Sequence, residues 1–402
     1  MEQRTVSEIV EQFEPLLRVF EKDPKLTIVH AEEEAGTKCG DNYLSIVVRS
    51  KIVGRRGDGS PYNKTFVSKR YPFHRKIAEY IRNADFFHNE AYAYKELLPL
   101  LGPVGPACIY AGPEAIIMED LKLAGYEVCD RMDLLDMNHC VSVLQTLASF
   151  HAKSYALKLK DRPGFLKLVS HLKEAVFPRD EKPAIGQAVE ASLHHAILQL
   201  ESIKPRTKDV EKAIEAVGGL RGKTVDIMKD ALFSPEGQFH VLVHGDPWNN
   251  NLLFKHDQAG RVVDVKLVDF QVMRHVSIAT DFHYFVNSSA KSSIIDDHYE
   301  DLVETYYRSF VGHLRKLNLP EENIRDLTLD LFKAELKKYA DFGILSGFLL
   351  VNAVLAEDED VIDLDSLSAQ ELQELSARPI PARPRKAERV MCVTSHYLRT
   401  YC

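Results

Sequence analysis

Apolar positions open the chain at three- and four-residue steps. Val6, Ile9, Val10, Phe13, Leu16, Leu17 and Phe20 predict a helix over residues 6–20, with Pro15 as a candidate break or kink. The texture then turns to β. Residues 43–53 and 65–67 are rich in β-branched and aromatic side chains and flank the polar stretch Gly54-Arg55-Arg56-Gly57-Asp58-Gly59-Ser60-Pro61, which predicts two antiparallel strands joined by a loop. A helical stretch from about residue 86 to 98 stops at Pro99, and residues 114–118 form a further apolar strand. From Leu134 onward the helical period dominates, with Val141, Leu144, Leu147, Ala148, His151 and Tyr155 on one buried face. A single β-rich island, residues 240–243, 252–254 and 262–268, interrupts it. The expected fold is therefore α+β and two-lobed. Residues 1–120 make a small β-rich lobe with a leading helix, and residues 121–402 a larger, mainly helical lobe carrying a short hairpin.

Composition narrows the function. The 402 residues carry a formal charge of −8, which argues against nucleic-acid binding through a broad basic face. With 45% hydrophobic and 27% charged residues the chain reads as an ordinary soluble globular protein. The first residues contain Glu8, Glu11 and Glu14 and no apolar core, so no secretory signal is expected. The longest near-apolar run, residues 342–356, is about fifteen residues against the roughly twenty of a membrane span, and reads as a buried helix. Six cysteines without a CxxC pair suit reduced thiols in a cytoplasmic protein. The acidic run Glu357-Asp358-Glu359-Asp360 reads as a solvated loop.

The chemistry concentrates in Val243-His244-Gly245-Asp246-Pro247-Trp248-Asn249-Asn250-Asn251-Leu252, followed by Leu267-Val268-Asp269-Phe270-Gln271. One strand runs into a polar turn that holds Asp246 and, five positions on, Asn251. A second strand ends in Asp269. Phosphoryl transfer from ATP needs a carboxylate to orient or deprotonate the attacking hydroxyl and oxygen ligands for Mg²⁺ on the phosphates. His-x-Asp-x-x-x-x-Asn followed by Asp-Phe is the kinase arrangement, and His244, Asp246, Asn251, Asp269 and Phe270 match it position for position. Asp246 is the candidate catalytic residue, with Asn251 and Asp269 as the metal ligands. A polar hairpin whose Asp and Asn merely build turns is the plain alternative.

The nucleotide lobe must add a cation. Thr65-Phe66-Val67-Ser68-Lys69 is an apolar strand ending in Lys69, and Glu90, at the start of the next helix, is placed to hold that lysine, with Glu96 as competitor. Gly40, in Cys39-Gly40-Asp41-Asn42-Tyr43, is the phosphate-loop candidate, although no GxGxxG is present. Glu119 and Leu121, after an apolar strand between the lobes, are positions at which adenine would meet backbone groups. Asp341-Phe342-Gly343 repeats the protein-kinase metal string, but it lies inside a helical pattern far from Asp246 and reads as structural. His151 reads as a buried hydrogen-bonding residue, His244 as a brace for the loop, and Asp281 as a tie to backbone amides.

These residues resemble a known family. His244-Gly245-Asp246-x-Trp248-x-Asn250-Asn251, then Asp269-Phe270-Gln271-x-x-Arg274-x-x-Ser277-x-Ala279-x-Asp281-Phe282-x-Tyr284-Phe285, looks like the ecdysteroid kinase-like group of arthropods, within the wider choline and aminoglycoside kinase superfamily. Phe87-x-x-Glu90-x-x-x-Tyr94, Met118-Glu119-Asp120-Leu121 and Leu147-Ala148-x-Phe150-His151-Ala152 extend the similarity, while Pro247 stands where the group usually has Leu. The resemblance implies a protein-kinase-like fold, ATP and Mg²⁺ as cofactors, and a small-molecule hydroxyl substrate such as an ecdysteroid or related alcohol. A nucleotide-binding pseudokinase scaffold and a choline- or ethanolamine-type kinase are the alternatives. Helices over residues 161–229 and 292–342 are expected to wall the acceptor pocket.

Overall fold

The computed structural model describes residues 4–36, 45–73, 82–179, 184–357 and 381–402. The opening helix Val6–Phe20 starts on a reciprocal cap: Glu8 N–H donates to the Thr5 hydroxyl, and Thr5 N–H donates to the Glu8 carboxylate at 2.7 Å. Pro15 does not end it. Ile9, Phe13 and Leu17 lie on one face of this helix and are buried against a five-stranded antiparallel sheet, with the Phe13 and Phe66 rings 5.8 Å apart.

The strands are β1 (Thr27–Ala35), β2 (Ile46–Arg55), β3 (Pro61–Arg70), β4 (Cys108–Ala111) and β5 (Ala115–Glu119), in the spatial order β1-β2-β3-β5-β4. β2 and β3 fall where the β-rich sequence placed them, and Ile46 pairs with Arg70 at one end of their ladder. β1 is an addition, so the strand expected first is the second. Its sequence buries only Ile28 and Ala31 and exposes glutamates along a sheet edge, a charge pattern that blocks edge-to-edge association but hides the strand from a search for apolar alternation. Gly40 and Asp358–Asp360 lie outside the described residues. Side chains alternate across β3. Tyr62 and Phe66 join the core under the opening helix, whereas Val67 and Lys69 face the other way.

The helix expected to stop at Pro99 is built differently. Asn83–Tyr92 passes into a five-residue π-helical turn, Ala93–Leu97, and then into a short helix, Leu98–Leu101, with Pro99 in its first turn. Pro99 has no N–H to give to this continuous helix, and it falls where the π turn gives way to the short helix. Just past β5, Asp120 caps a 3₁₀ turn, Leu121–Ala124.

The larger region is helical. The helix Met137–Lys160 packs along Tyr299–Lys316, and Ile278–Ser289 packs along Ala340–Val354, which is buried almost throughout as its run of apolar residues predicts. Among the described residues no helix is long and apolar enough to cross a membrane. Two small antiparallel sheets interrupt the helices. One joins β6 (Tyr126–Glu127), β8 (Leu252–His256) and β9 (Val262–Leu267). The other pairs β7 (His240–Val243) with β10 (Arg274–Ser277), a strand the sequence reading did not anticipate. A small antiparallel sheet followed by a mostly helical region is a bilobal, kinase-like α+β fold.

Candidate active site

The polar segment 244–251 is held in place from below by one carboxylate. Asp281, in the first turn of Ile278–Ser289, is fully buried, and its two oxygens accept the backbone N–H groups of His244 and Gly245, each at 2.8 Å. His151 Nε2 lies 3.1 Å from the same carboxylate, and its Nδ1 is 2.6 Å from the Tyr306 hydroxyl. Burial opposes the Asp281 charge, but the His151 contact and the amide donors hold its pKa below the usual carboxylate value. The expected places of His151 and Asp281 are those found. His244 also braces the loop: Nε2 donates to Val268 O at 3.0 Å and Nδ1 accepts Asp246 N–H at 3.2 Å. Burial first lowers the His244 pKa, which keeps the ring neutral and this tautomer intact.

Gly245 has φ +88°, and a Cβ added to it would lie 2.1 Å from Val272 O. Gly245→Ala is therefore expected to destabilise the protein by at least about 1–3 kcal/mol from the backbone conformation alone. Thermal denaturation checks this, and an unchanged Tm would count against the geometry.

Past the turn, Asp246 accepts from Asn251 Nδ2 at 2.9 Å on Oδ2 and from the Tyr284 hydroxyl on Oδ1. Asn251 Nδ2 also donates to Asp246 O at 3.0 Å, so its amide nitrogen is committed and its carbonyl oxygen is turned away. β8 and β9 then return the chain. Leu252 pairs with Leu267, and Val268 N–H donates to Asn251 O at 3.1 Å, which sets Asp269 beside the Asp246–Asn251 pair. Asp269 has φ +70°, a left-handed conformation that Asp tolerates better than most residues. Phe270 behind it is fully buried, edge-on to Tyr94 with centroids 5.6 Å apart.

Lys69 reaches across from β3. Its Nζ lies 2.7 Å from Glu90 Oε1 and 2.8 Å from Asp269 Oδ1, and Gln271 Nε2 donates to the other Asp269 oxygen at 3.0 Å. Burial works against the Lys69 cation, but Asp269 and Glu90 together raise its pKa, so it stays charged. Two carboxylates sharing one ammonium leave one negative charge in excess. Burial pushes Glu90 up most, against the pull of Lys69, so Glu90 takes up a proton more readily than an ordinary glutamate. Asp246 is likewise pushed up to about 7, chiefly by burial, with Tyr284 and Asn251 opposing and the Asp269 charge adding.

Glu90, and not Glu96, faces Lys69. Lys69, Glu90 and Asp269 are thus joined by direct contacts, with the bonded pair Asp246–Asn251 set beside Asp269. Glu119 lies at the end of β5 with its carboxylate accepting Ala107 N–H at 2.8 Å, and Leu121 opens the 3₁₀ turn, where the first N–H groups lack an intrahelical acceptor. Asp341 sits apart, within Ala340–Val354, accepting the Tyr397 hydroxyl at 2.5 Å.

Sequence reasoning assigned no role to three residues of this cluster. Tyr284 binds Asp246 from one helical turn beyond Asp281. Gln271 orients Asp269. Asn89 donates to both Lys173 O, at 2.7 Å, and Gln271 O, at 3.1 Å, and so stitches the helix bearing Glu90 to the segment after Asp269.

A comparison with curated proteins finds no match. The model of the ecdysteroid kinase-like family matches residues 39–319, most of the chain and all of this cluster, and the chain belongs to that family.

Proposed function

We propose that this protein transfers the γ-phosphate of ATP to a hydroxyl group of a small molecule, an ecdysteroid or a related alcohol. Membership of the family implies a kinase-like enzyme acting on small molecules. One observation carries the finer reading: Lys69 bridges Glu90 and Asp269 at 2.7 and 2.8 Å, beside an Asp246–Asn251 pair. A polar hairpin that only builds turns has no use for a buried lysine from another sheet.

The donor set suits magnesium and a nucleotide triphosphate. Asp269 offers a carboxylate and Asn251 a carbonyl oxygen directed away from Asp246, both hard oxygen ligands. Mg²⁺·ATP, when bound, supplies the phosphoryl group and neutralises much of its charge. Lys69, steadied by Glu90, then offers its ammonium to phosphate oxygens. The backbone at Glu119 and Leu121 would receive the base, and Gly40 is the residue assigned to the phosphate loop. Asp246 accepts or orients the proton of the acceptor hydroxyl, and Tyr284 fixes its carboxylate. Positioning and charge stabilisation supply most of the acceleration. We divide the lobes after residue 120, with the helices of 161–229 and 292–342 walling the acceptor, and place the protein in the cytoplasm, a reading supported by the free thiols of Cys108, Cys129, Cys140, Cys392 and Cys402.

The test uses γ-labelled ATP with a panel containing an ecdysteroid, other sterols, choline and ethanolamine. Label should pass to a sterol-class alcohol. Transfer to choline or ethanolamine would favour the other kinase branch, and nucleotide binding with no transfer to any acceptor would favour a scaffold. Asp269→Asn is expected to abolish transfer while leaving the circular dichroism spectrum unchanged. A folded, active variant would overturn the metal assignment.

A further inference from the structure

Apart from these residues lies a second cluster of ligating side chains, built by three separate elements. Cys129 follows β6, His139 is in the first turn of Met137–Lys160, and His256 ends β8. One sulfur and two ring nitrogens lie within 4.8 Å of one another, all half-buried.

The two imidazoles are oriented for a shared ligand. His139 Nδ1 lies 2.7 Å from Asp136 Oδ1, and His256 Nδ1 faces Glu127 Oε1 at 3.3 Å. A carboxylate opposite Nδ1 keeps the proton on that nitrogen and leaves Nε2 with its lone pair. The two Nε2 atoms then point at each other, 3.1 Å apart. Two lone pairs at that distance repel unless a proton or a cation lies between them. Zinc–nitrogen bonds of about 2.0–2.1 Å span a 3.1 Å separation at an angle of about 98°, close to tetrahedral. The same geometry needs a thiolate about 3.5 Å from each nitrogen, so the adjustment asked of the Cys129 sulfur is on the order of 1 Å.

The surroundings hold this arrangement. Asp136 is also the N-cap of the helix, accepting His139 N–H at 3.1 Å, and therefore fixes backbone and ring together. The Phe254 ring stands edge-on to His139 at 4.9 Å and closes the inner side. Carboxylate, imidazole and metal in a row is the usual outer arrangement of histidine–zinc sites.

We propose that Cys129, His139 and His256 bind one zinc ion, with Asp136 and Glu127 orienting the two rings and water completing the coordination. Ligation releases the thiol proton to solvent and changes no oxidation state. The ion would tie the start of Met137–Lys160 to β6 and β8. Cys129 O accepts Asn249 Nδ2 at 2.7 Å, so it would also steady the turn that carries Asp246.

Titration of the full chain with ZnCl₂ and CoCl₂ tests the site. Cobalt should give a thiolate charge-transfer band in the near ultraviolet, which Cys129→Ser removes and Asp269→Asn leaves in place. Asp136→Asn keeps a good helix cap and is expected to weaken zinc binding about 10–100-fold. ZnCl₂ should raise the Tm of the wild-type chain but not of His256→Gln. A chain without the cobalt–thiolate band, or one whose zinc affinity is the same with and without Asp136→Asn, overturns the proposal.

Discussion

Asp246→Asn is expected to slow phosphoryl transfer by about 10²–10⁴-fold, the usual contribution of a positioned general base. The amide is nearly isosteric and keeps a carbonyl oxygen for one of the two donors, Asn251 and Tyr284, so the turn is expected to stay folded. Lys69, Asp269 and Asn251 are untouched, so Mg·ATP should still raise the Tm. The loss then falls on turnover and not on nucleotide affinity. The wild-type protein carries a linked signature. Only the ionised carboxylate accepts a proton, and burial pushes Asp246 up to about 7. kcat/KM should therefore rise as pH passes upward through about 7, and in Asp246→Asn this rise should vanish. The best acceptor from the alcohol panel serves for both measurements. A variant of wild-type rate, or a profile indifferent to the substitution, would remove Asp246 from the chemistry.

The largest stability effect is expected at Asp281. Asp281→Ala strips the acceptor from two backbone amides and leaves His151 without its carboxylate, all inside the core. Breaking a buried charged network from one side costs about 3–5 kcal/mol. Denaturant unfolding should show a lower midpoint, and activity should fall with it because the turn carrying Asp246 loses its anchor. Asp281→Asn keeps one oxygen and should cost less. The acid limb follows from the sign of the shift. Asp281 has a folded-state pKa below its unfolded value, so its stabilisation is present above the ordinary carboxylate range and disappears as pH falls through the depressed value. The wild-type chain should lose its advantage over Asp281→Ala in strong acid. Equal midpoints for the two chains at neutral pH would disprove the anchoring role.

Legibility in the sequence followed the range of the interactions. The Asp246-to-Asp269 hairpin was readable because its spacing and its flanking strands are local. The same reasoning disposed of Asp341, which the structure finds in the first turn of a helix with Tyr397 as partner. Lys69 stood out as the end of an apolar strand and Glu90 as an acid opening the next helix, while the choice of Glu90 over Glu96 comes from their contact in the structure. β1 was not, since a glutamate-rich edge strand buries two side chains in nine residues and gives no clean period. β10 was not, because its four residues gain their strand character only from β7, thirty-odd positions upstream. The π-helical turn at Ala93–Leu97 has no local marker. Tyr284 was visible as a residue, but its contact with Asp246 depends on how Ile278–Ser289 docks beneath the loop, which is a tertiary fact.

The small sheet is sandwiched, and its two faces have different owners. Phe66 and Ile117 belong to a compact cluster capped, among the described residues, by the opening helix and its neighbours, while Ile116 and Met118 merge into the main interior near Phe270. Shortening the protein at its beginning would therefore strip a greasy roof without unwiring Lys69 or Glu90. Such a fragment would be inclined to clump before it lost its chemistry, so poor yield from a trimmed version would say little about what the enzyme can do.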